Sequence, residues 1–393
     1  MVSRVRPPTV LHVTNDFHAD GAQRCLQRLV CGSDRGRLHQ VVVALAPGGD
    51  LRESLEREGI EVECVAPRGP AASIAAIARF ASILRRERPA IVQAWTYKAN
   101  LFSCVARAIE PRATLIWNIR TVPYQAELGL RQRVAVELGR VLSALPAAIV
   151  YNSVAGESVH TARGFTTKKS VVIHNGIPVP SSPLCRQRGQ EWRRRLGLAD
   201  GDVVVSYVKR LANPRWHEFF FRAARRVAES QDHVRFVCVG RDIGRLSAML
   251  QRIAGERDLV RRCVLLEHTS DVSEVYEGSD VVVSASGREG FPNAIGEAMA
   301  CGVPCIVTNV GDSAFLVGET GRVVSFGDVD ELATAICHVA SIGPDGRRRL
   351  GELAHARIAK HFSLERMIDA YIALYEWAGA TRAPGPRSAT CAE

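Results

Sequence analysis

The 393-residue chain lacks any uncharged apolar run of the roughly 18–20 residues that a membrane-crossing helix needs. The nearest approach, Val141–Gly156, is interrupted by Pro146, Asn152 and two serines. The opening residues, MVSRVRPPTVLHV, lead straight into a strand-like run and carry no apolar core of the signal-peptide kind. A cytoplasmic protein is therefore expected. No CxxC pair occurs among the eleven cysteines, whose nearest neighbours, Cys301 and Cys305, flank a Gly-Val-Pro turn. That argues against a metal ribbon or disulfide framework, and the cysteines read as small buried hydrophobes. There is no low-complexity segment. A platform of interleaved basic and aromatic residues is also missing, so a nucleic-acid partner is not expected.

What is present points to a globular enzyme-sized protein. The chain is 47% hydrophobic and 23% charged, enough for real cores, and long enough for two or three domains. Its net charge of +10 is unevenly spread. Residues 1–180 hold 23 Lys+Arg against 14 Asp+Glu, whereas residues 181–393 hold 28 against 27. The basic first half reads either as a solvated surface or as an attraction for an anionic membrane, an anionic acceptor or, on charge alone, a nucleic acid.

Short Val/Ile-rich strands alternate with helical stretches from end to end. PTVLHVT, HQVVVALA, AIVQAW, ATLIWNI, AAIVYNS and SVVIHNGI read as strands of the first half, with helices such as GAQRCLQRLVCGS between them. The Pro-rich stretch PVPSSPLCRQRGQ follows as a linker, and the alternation restarts with DVVVSYV, VRFVCVG, CVLLEHT, DVVVSAS and PCIVTNV. Continuous apolar strands separated by helices indicate parallel sheets covered on both faces. The expected fold is α/β, two Rossmann-like doubly wound domains facing each other across a cleft. Ligands of such sheets bind beyond the carboxyl ends of the strands.

The densest motif lies after the strand DVVVSAS. Glu289 is followed by Phe291-Pro292-Asn293, and a helix is expected from about Ala294, with Asn293 as its N-cap and Glu297 on its first turn. Free N–H groups at such a helix start suit an anion or hydroxyls, and two carboxylates suit the vicinal hydroxyls of a sugar or ribose. The segment VSYVKRLANPRWHEF adds Arg210 and Arg215, whose guanidinium forks suit phosphate oxygens. NDFHADGAQR, between the first strand and a helix, places Gly21, Ala22 and Gln23 at another strand-to-helix turn. Asp328 or Asp330 of GDVDEL reads as a helix N-cap rather than a metal ligand, and no metal is expected. GLRQRVAVELGRVLSAL, Gly129–Leu145, is amphipathic; it reads first as a core-facing helix and second as one lying on a membrane.

The string EGFPNAIGEAMACGVPCIVTNVGD closely resembles the E-x7-E signature of the retaining GT-B glycosyltransferases of family 4, the glycosyl transferases group 1. The resemblance extends over nearly the whole chain. KRLANPRW resembles the family's segment that opens Gly-Arg-Leu and closes Lys-Gly, with Lys209 in place of the first glycine and Arg215-Trp216 in place of Lys-Gly. DGAQ resembles its Gly-Gly-x-Glu loop, and HNGIP its interdomain Asn-Gly-Ile-Asp signature. The resemblance implies a residue 1–178 acceptor-side domain, with a C-terminal helix at 363–378 packing back on it, and a 179–362 nucleotide-sugar domain; the composition of residues 379–393 reads as a disordered tail. It implies that Arg210, Arg215 and Glu289 carry the chemistry and that Phe291, Pro292, Asn293, Glu297, Gly21 and Ala22 hold the donor. Gln23, Tyr97, Lys98 and Arg120 are the acceptor-side candidates. The implied reaction is retaining, metal-independent transfer of a sugar from a nucleotide-sugar, with no further cofactor, to a hydroxyl of a glycan or lipid-linked acceptor. Surface polysaccharide or glycoconjugate synthesis, with peripheral contact at an anionic membrane, is the expected setting. The alternatives are a non-catalytic binding protein of the same fold and a nucleotide-sugar epimerase.

Overall fold

The computed structural model describes residues 7–66, 72–122, 129–180, 186–211, 213–254, 259–267, 269 and 271–380. The expected tail beyond Ala380 and the centre of the linker, 181–185, lie outside them. The chain divides into two compact units, Met1–Gly176 with Leu364–Glu393, and Ile177–Ser363.

The first unit is built on a seven-stranded parallel sheet: β1 (Thr9–Thr14), β2 (His39–Ala44), β3 (Glu61–Cys64), β4 (Ile91–Trp95), β5 (Thr114–Ile119), β6 (Ala148–Tyr151) and β7 (Ser170–Val172). The spatial order is β3-β2-β1-β4-β5-β6-β7, so the order reverses between β1 and β4. Alternate residues serve the two faces. Val10 and Val42 belong to one apolar cluster, and Leu11, Val13, Val41 and Val43 to the other. The helix Leu364–Ala380 returns to this unit and buries Met367, Ile368, Tyr371 and Tyr375.

The second unit repeats the plan with six parallel strands: β8 (Val203–Val208), β9 (Val234–Val239), β10 (Cys263–Leu266), β11 (Val281–Ser284), β12 (Cys305–Thr308) and β13 (Arg322–Val324). Their order is β10-β9-β8-β11-β12-β13, reversing between β8 and β11. Val203, Val205 and Tyr207 face one core and Val204 the other, the double-sided burial that makes VVVSYV a near-continuous apolar run. Two edge strands, β3 and β13, carry no such run and are not apparent from the sequence pattern. No helix among the described residues is long and apolar enough to cross a membrane.

The amphipathic segment departs from the expectation of a core-facing stripe. Its helix, Leu130–Leu142, buries Val136 and Gly139. Leu130, Val134, Leu138 and Val141 are exposed by 79, 50, 48 and 63%. Their spacing of four, four and three places them on one side of the helix, away from the buried residues.

Candidate functional site

Most of the sequence-predicted residues fall at the carboxyl ends of strands that flank a reversal of strand order, where open α/β sheets leave a crevice between diverging loops. In the second unit, Lys209 and Arg210 follow β8, and Ser286–Asn293 follows β11, its neighbour in the sheet. The helix Pro214–Ala228 starts just beyond β8 with Asn213 as N-cap, its side chain accepting from the Arg215 N–H at 3.1 Å. Arg210 and Arg215 are both exposed.

The loop after β11 is held from below. Thr308 at the end of β12 donates its hydroxyl to the carbonyl of buried Ser286 at 2.6 Å. The Asp312 N–H donates to the Gly290 carbonyl at 2.9 Å. Gly311, with a φ of +56°, lies so near that a Cβ there would be 2.3 Å from the Glu289 carbonyl oxygen. The Val-Gly-Asp end of the long motif is thus the seat on which the Glu289 backbone rests. The Glu289 carboxylate is paired through Oε1 with the Lys209 ammonium, and both side chains are only 18% exposed. The ammonium also lies 5.0 Å from the centre of the Trp216 ring.

The helix after this loop runs from Asn293 to Ala300, with Pro292 at the cap position. The expected N-cap at Asn293 is corrected: Asn293 is the first helical residue. Glu297 is consequently the fifth residue, past the first turn of 3.6 residues. Its Oε2 lies 3.5 Å from the hydroxyl of Tyr276, which is itself buried. Phe291 is 5% exposed and its ring packs 5.5 Å from that of Phe362, so its side chain belongs to the core. Pro292 is buried as well.

In the first unit the corresponding reversal lies between β1 and β4. The helix Gly21–Gly32 starts after β1. Gly21 is exposed and Ala22 half-buried at its first turn. Gln23 is buried and donates to Asp16 Oδ1 at 3.1 Å, bracing the loop instead of reaching outward. Tyr97 opens the short helix after β4, next to Thr96, whose φ of +89° is strained for a β-branched residue. The Tyr97 hydroxyl pairs with His160 Nε2, and His160 Nδ1 lies 2.6 Å from the Gly156 carbonyl. That carbonyl can only accept, so Nδ1 carries the proton and Nε2 accepts from Tyr97. Burial pushes the His160 pKa down to about 4 and that of Tyr97 up. Lys98 is exposed.

Arg120, after β5, is turned inward. Its guanidinium donates to the Tyr371 hydroxyl at 3.1 Å, to Cys25 Sγ at 2.9 Å and to Asn175 Oδ1, and lies 5.1 Å from the Trp95 ring centre. Its four contacts come from distant parts of the chain, and none is a carboxylate. Burial raises the thiol pKa of Cys25 despite this cation.

Asp328 does cap the helix Val329–Ser341, accepting from the Glu331 N–H at 2.9 Å, and Asp330 pairs with Arg226 instead. Among the described residues, the one group with metal-ligand spacing is His39, Glu61 and Glu87. It sits at the opposite, amino ends of β2 and β3, and Arg86 already binds both carboxylates. Sequence reasoning missed His160 and the pairing of Lys209 with Glu289, because neither lies within a recognisable spacing.

Comparison with known proteins follows the same division. Residues 202–341 match the family described as glycosyl transferases group 1, and residues 19–179 the one described as glycosyltransferase family 4. The chain is 25% identical over 315 residues to the capsular polysaccharide biosynthesis glycosyltransferase CapM of Staphylococcus aureus, covering 74% of this chain and 79% of that one. It is 31% identical over 176 residues to the UDP-Gal:alpha-D-GlcNAc-diphosphoundecaprenol alpha-1,3-galactosyltransferase of Escherichia coli, a match spanning 44% of this chain and 45% of the relative. The crystal structure of Anabaena Alr3699/HepE in complex with UDP-glucose has the same fold, with a TM-score of 0.78 and 22% identity over 93% of this chain and 98% of that one.

Proposed function

Because the chain belongs to the glycosyl transferases group 1 of GT-B fold, we propose that it transfers a sugar from a nucleotide-sugar to an acceptor hydroxyl with retention at the anomeric carbon. The observation that carries this reading is the constellation at the strand-order reversal of the second unit. There, Arg210 and Arg215 follow β8, Glu289 follows its neighbour β11, and Glu297 lies on the next helix. In this reading the two guanidinium groups neutralise the departing diphosphate, the task a divalent cation performs elsewhere. The N–H groups at the start of the helix Asn293–Ala300 add partial positive charge. Glu289 accepts from hydroxyls of the donor sugar and Glu297 from those of the ribose. No residue is assigned as a covalent nucleophile. The departing diphosphate takes the acceptor proton on the face it leaves, and the protein contributes positioning and charge stabilisation. Neither a metal nor another cofactor has a part in it.

The acceptor is assigned to the basic first unit, at the carboxyl ends of β1 and β4. A lipid-linked glycan at the inner face of a membrane suits two features of that unit. One is its excess of basic residues. The other is the exposed stripe of Leu130, Val134, Leu138 and Val141, flanked by Arg131 and Arg140, which suits an interfacial helix on anionic lipid. CapM and the galactosyltransferase are named for capsular polysaccharide synthesis and for a diphosphoundecaprenol acceptor, which supports surface glycan assembly as the setting.

The test is a melting and hydrolysis screen against UDP-, GDP- and dTDP-sugars, with Glu297→Ala alongside the wild type. A donor at 100 times its dissociation constant adds about 2.7 kcal/mol to folding stability, readily seen as a melting shift. One donor should stabilise the wild type, be turned over slowly, and lose most of its effect in Glu297→Ala. A folded wild type that binds no nucleotide-sugar refutes the reading.

A further inference from the structure

The resemblance to the family breaks at two glycines of one segment, where this chain has Lys209 and Trp216. In the folded protein these two replacements touch each other, and one of them reaches Glu289. We propose that Lys209, seated on Trp216, is a positioning residue that fixes the Glu289 carboxylate for the donor sugar. The inference rests on the nucleotide-sugar reading above and deepens it.

Lys209 and Glu289 follow adjacent strands, β8 and β11, whose register pairs Val205 with Val281 and Ser206 with Val282. The two side chains therefore meet across the reversal of strand order. Glu289 is anchored at both ends. Its carbonyl rests on Gly311, and its carboxylate is held by the ammonium. Lys209 is itself a flexible four-carbon chain and would be a loose anchor alone. The Trp216 ring beneath its ammonium supplies a cation–π contact that narrows where the charge can sit. Trp216 is 6% exposed, and its indole fits only because residue 287 is a glycine: a Cβ there would lie 2.7 Å from Nε1. With Oε1 engaged by Lys209, Oε2 remains to accept from a sugar hydroxyl. Both side chains are largely shielded from water, so the pair is screened less than a surface ion pair. A carboxylate oriented before the ligand arrives loses less conformational freedom on binding.

This arrangement separates the sugar from the nucleotide. The donor that best stabilises the wild type in the screen is the probe, together with its nucleoside diphosphate. In Lys209→Met, affinity for the diphosphate should stay within twofold, while affinity for the nucleotide-sugar falls at least tenfold, appearing in KM more than in kcat. Lys209→Arg should recover to within threefold. In a Glu289→Gln background the same Lys209→Met change should cost less than twofold, because there is no carboxylate left to orient. Should Lys209→Met fold poorly, the Lys209→Arg variant and the Lys209→Met, Glu289→Gln double variant carry the same comparison without a lone buried charge. Equal losses for diphosphate and nucleotide-sugar would overturn the inference, assigning Lys209 to the phosphates or to folding alone. So would a Lys209→Met effect that persists undiminished without Glu289. A folded wild type that binds none of the nucleotide-sugars removes the donor reading itself, and this inference with it.

Discussion

Gly311→Ala tests how the Glu289 loop is held, and its cost follows from the backbone conformation and the close neighbours at that position. Residue 311 has a φ of +56°, a left-handed conformation that costs a residue with a Cβ about 1–2 kcal/mol. The added methyl would also stand 2.3 Å from the Glu289 carbonyl oxygen, 2.7 Å from its carbon and 2.8 Å from the Gly290 oxygen. Those are backbone atoms, so no side chain can swing aside, and overpacking of this kind costs roughly 1–3 kcal/mol. Together the two effects come to about 3 kcal/mol. For a unit of this size that is roughly a 6–12 °C fall in melting temperature, at about 2–4 °C per kcal/mol. Alternatively the loop moves, the Asp312 N–H to Gly290 contact opens, and the loss appears in the site. The assay is a melt of wild type and variant, each with and without the best donor. The variant should melt lower, or lose the donor-induced shift, or both. A variant that melts within 1 °C of wild type and keeps the full donor shift refutes the claim that Gly311 seats Glu289.

Two further outcomes are expected. Leu138→Glu with Val141→Glu should abolish co-sedimentation with anionic phospholipid vesicles while leaving the melting temperature nearly unchanged, since both positions are exposed and surface changes usually stay within about 0.5 kcal/mol; retained vesicle binding would remove the stripe from the membrane proposal. Acid should destabilise the first unit, because buried His12 and His160 have their pKa values pushed down from 6.5 to about 4 by burial. The unfolded chain takes up a proton at each site below about pH 6.5 and the folded one does not. Stability is therefore complete above that pH and declines toward pH 4, by about 3 kcal/mol for each group. A urea midpoint that stays flat between pH 7 and pH 4.5 would contradict this.

The fold was legible where burial is two-sided. Runs such as VVVSYV at β8 and DVVVSAS before and through β11 carry apolar residues on both faces, and their order with the helices gives parallel sheets. The edge strands β3, sequence EVEC, and β13, sequence RVV, were not legible, because an edge strand covered on one side needs fewer apolar residues. The long motif around Glu289 was legible as a unit, but its physical unity was not: Thr308, Gly311 and Asp312 hold the loop from the end of another strand. The exposed stripe of the helix Leu130–Leu142 shows a different limit. Its helical period was visible, but apolar spacing does not reveal which side meets the core, and here that side is Val136 and Gly139.

The sequence alone determined two doubly wound α/β halves, the site of the Glu289 motif after a strand, and a helix cap at Asp328 or Asp330, because each is written in neighbouring residues and their period. Only tertiary structure decided that Lys209 meets Glu289 and Trp216, that Tyr97 meets His160, and that Arg120 is spent on Cys25, Asn175 and Tyr371. Such partners are joined by strand order and register, which bring together residues that local propensity treats as strangers. A charge or hydroxyl in the sequence states what it can bind; the sheet determines which group reaches it first.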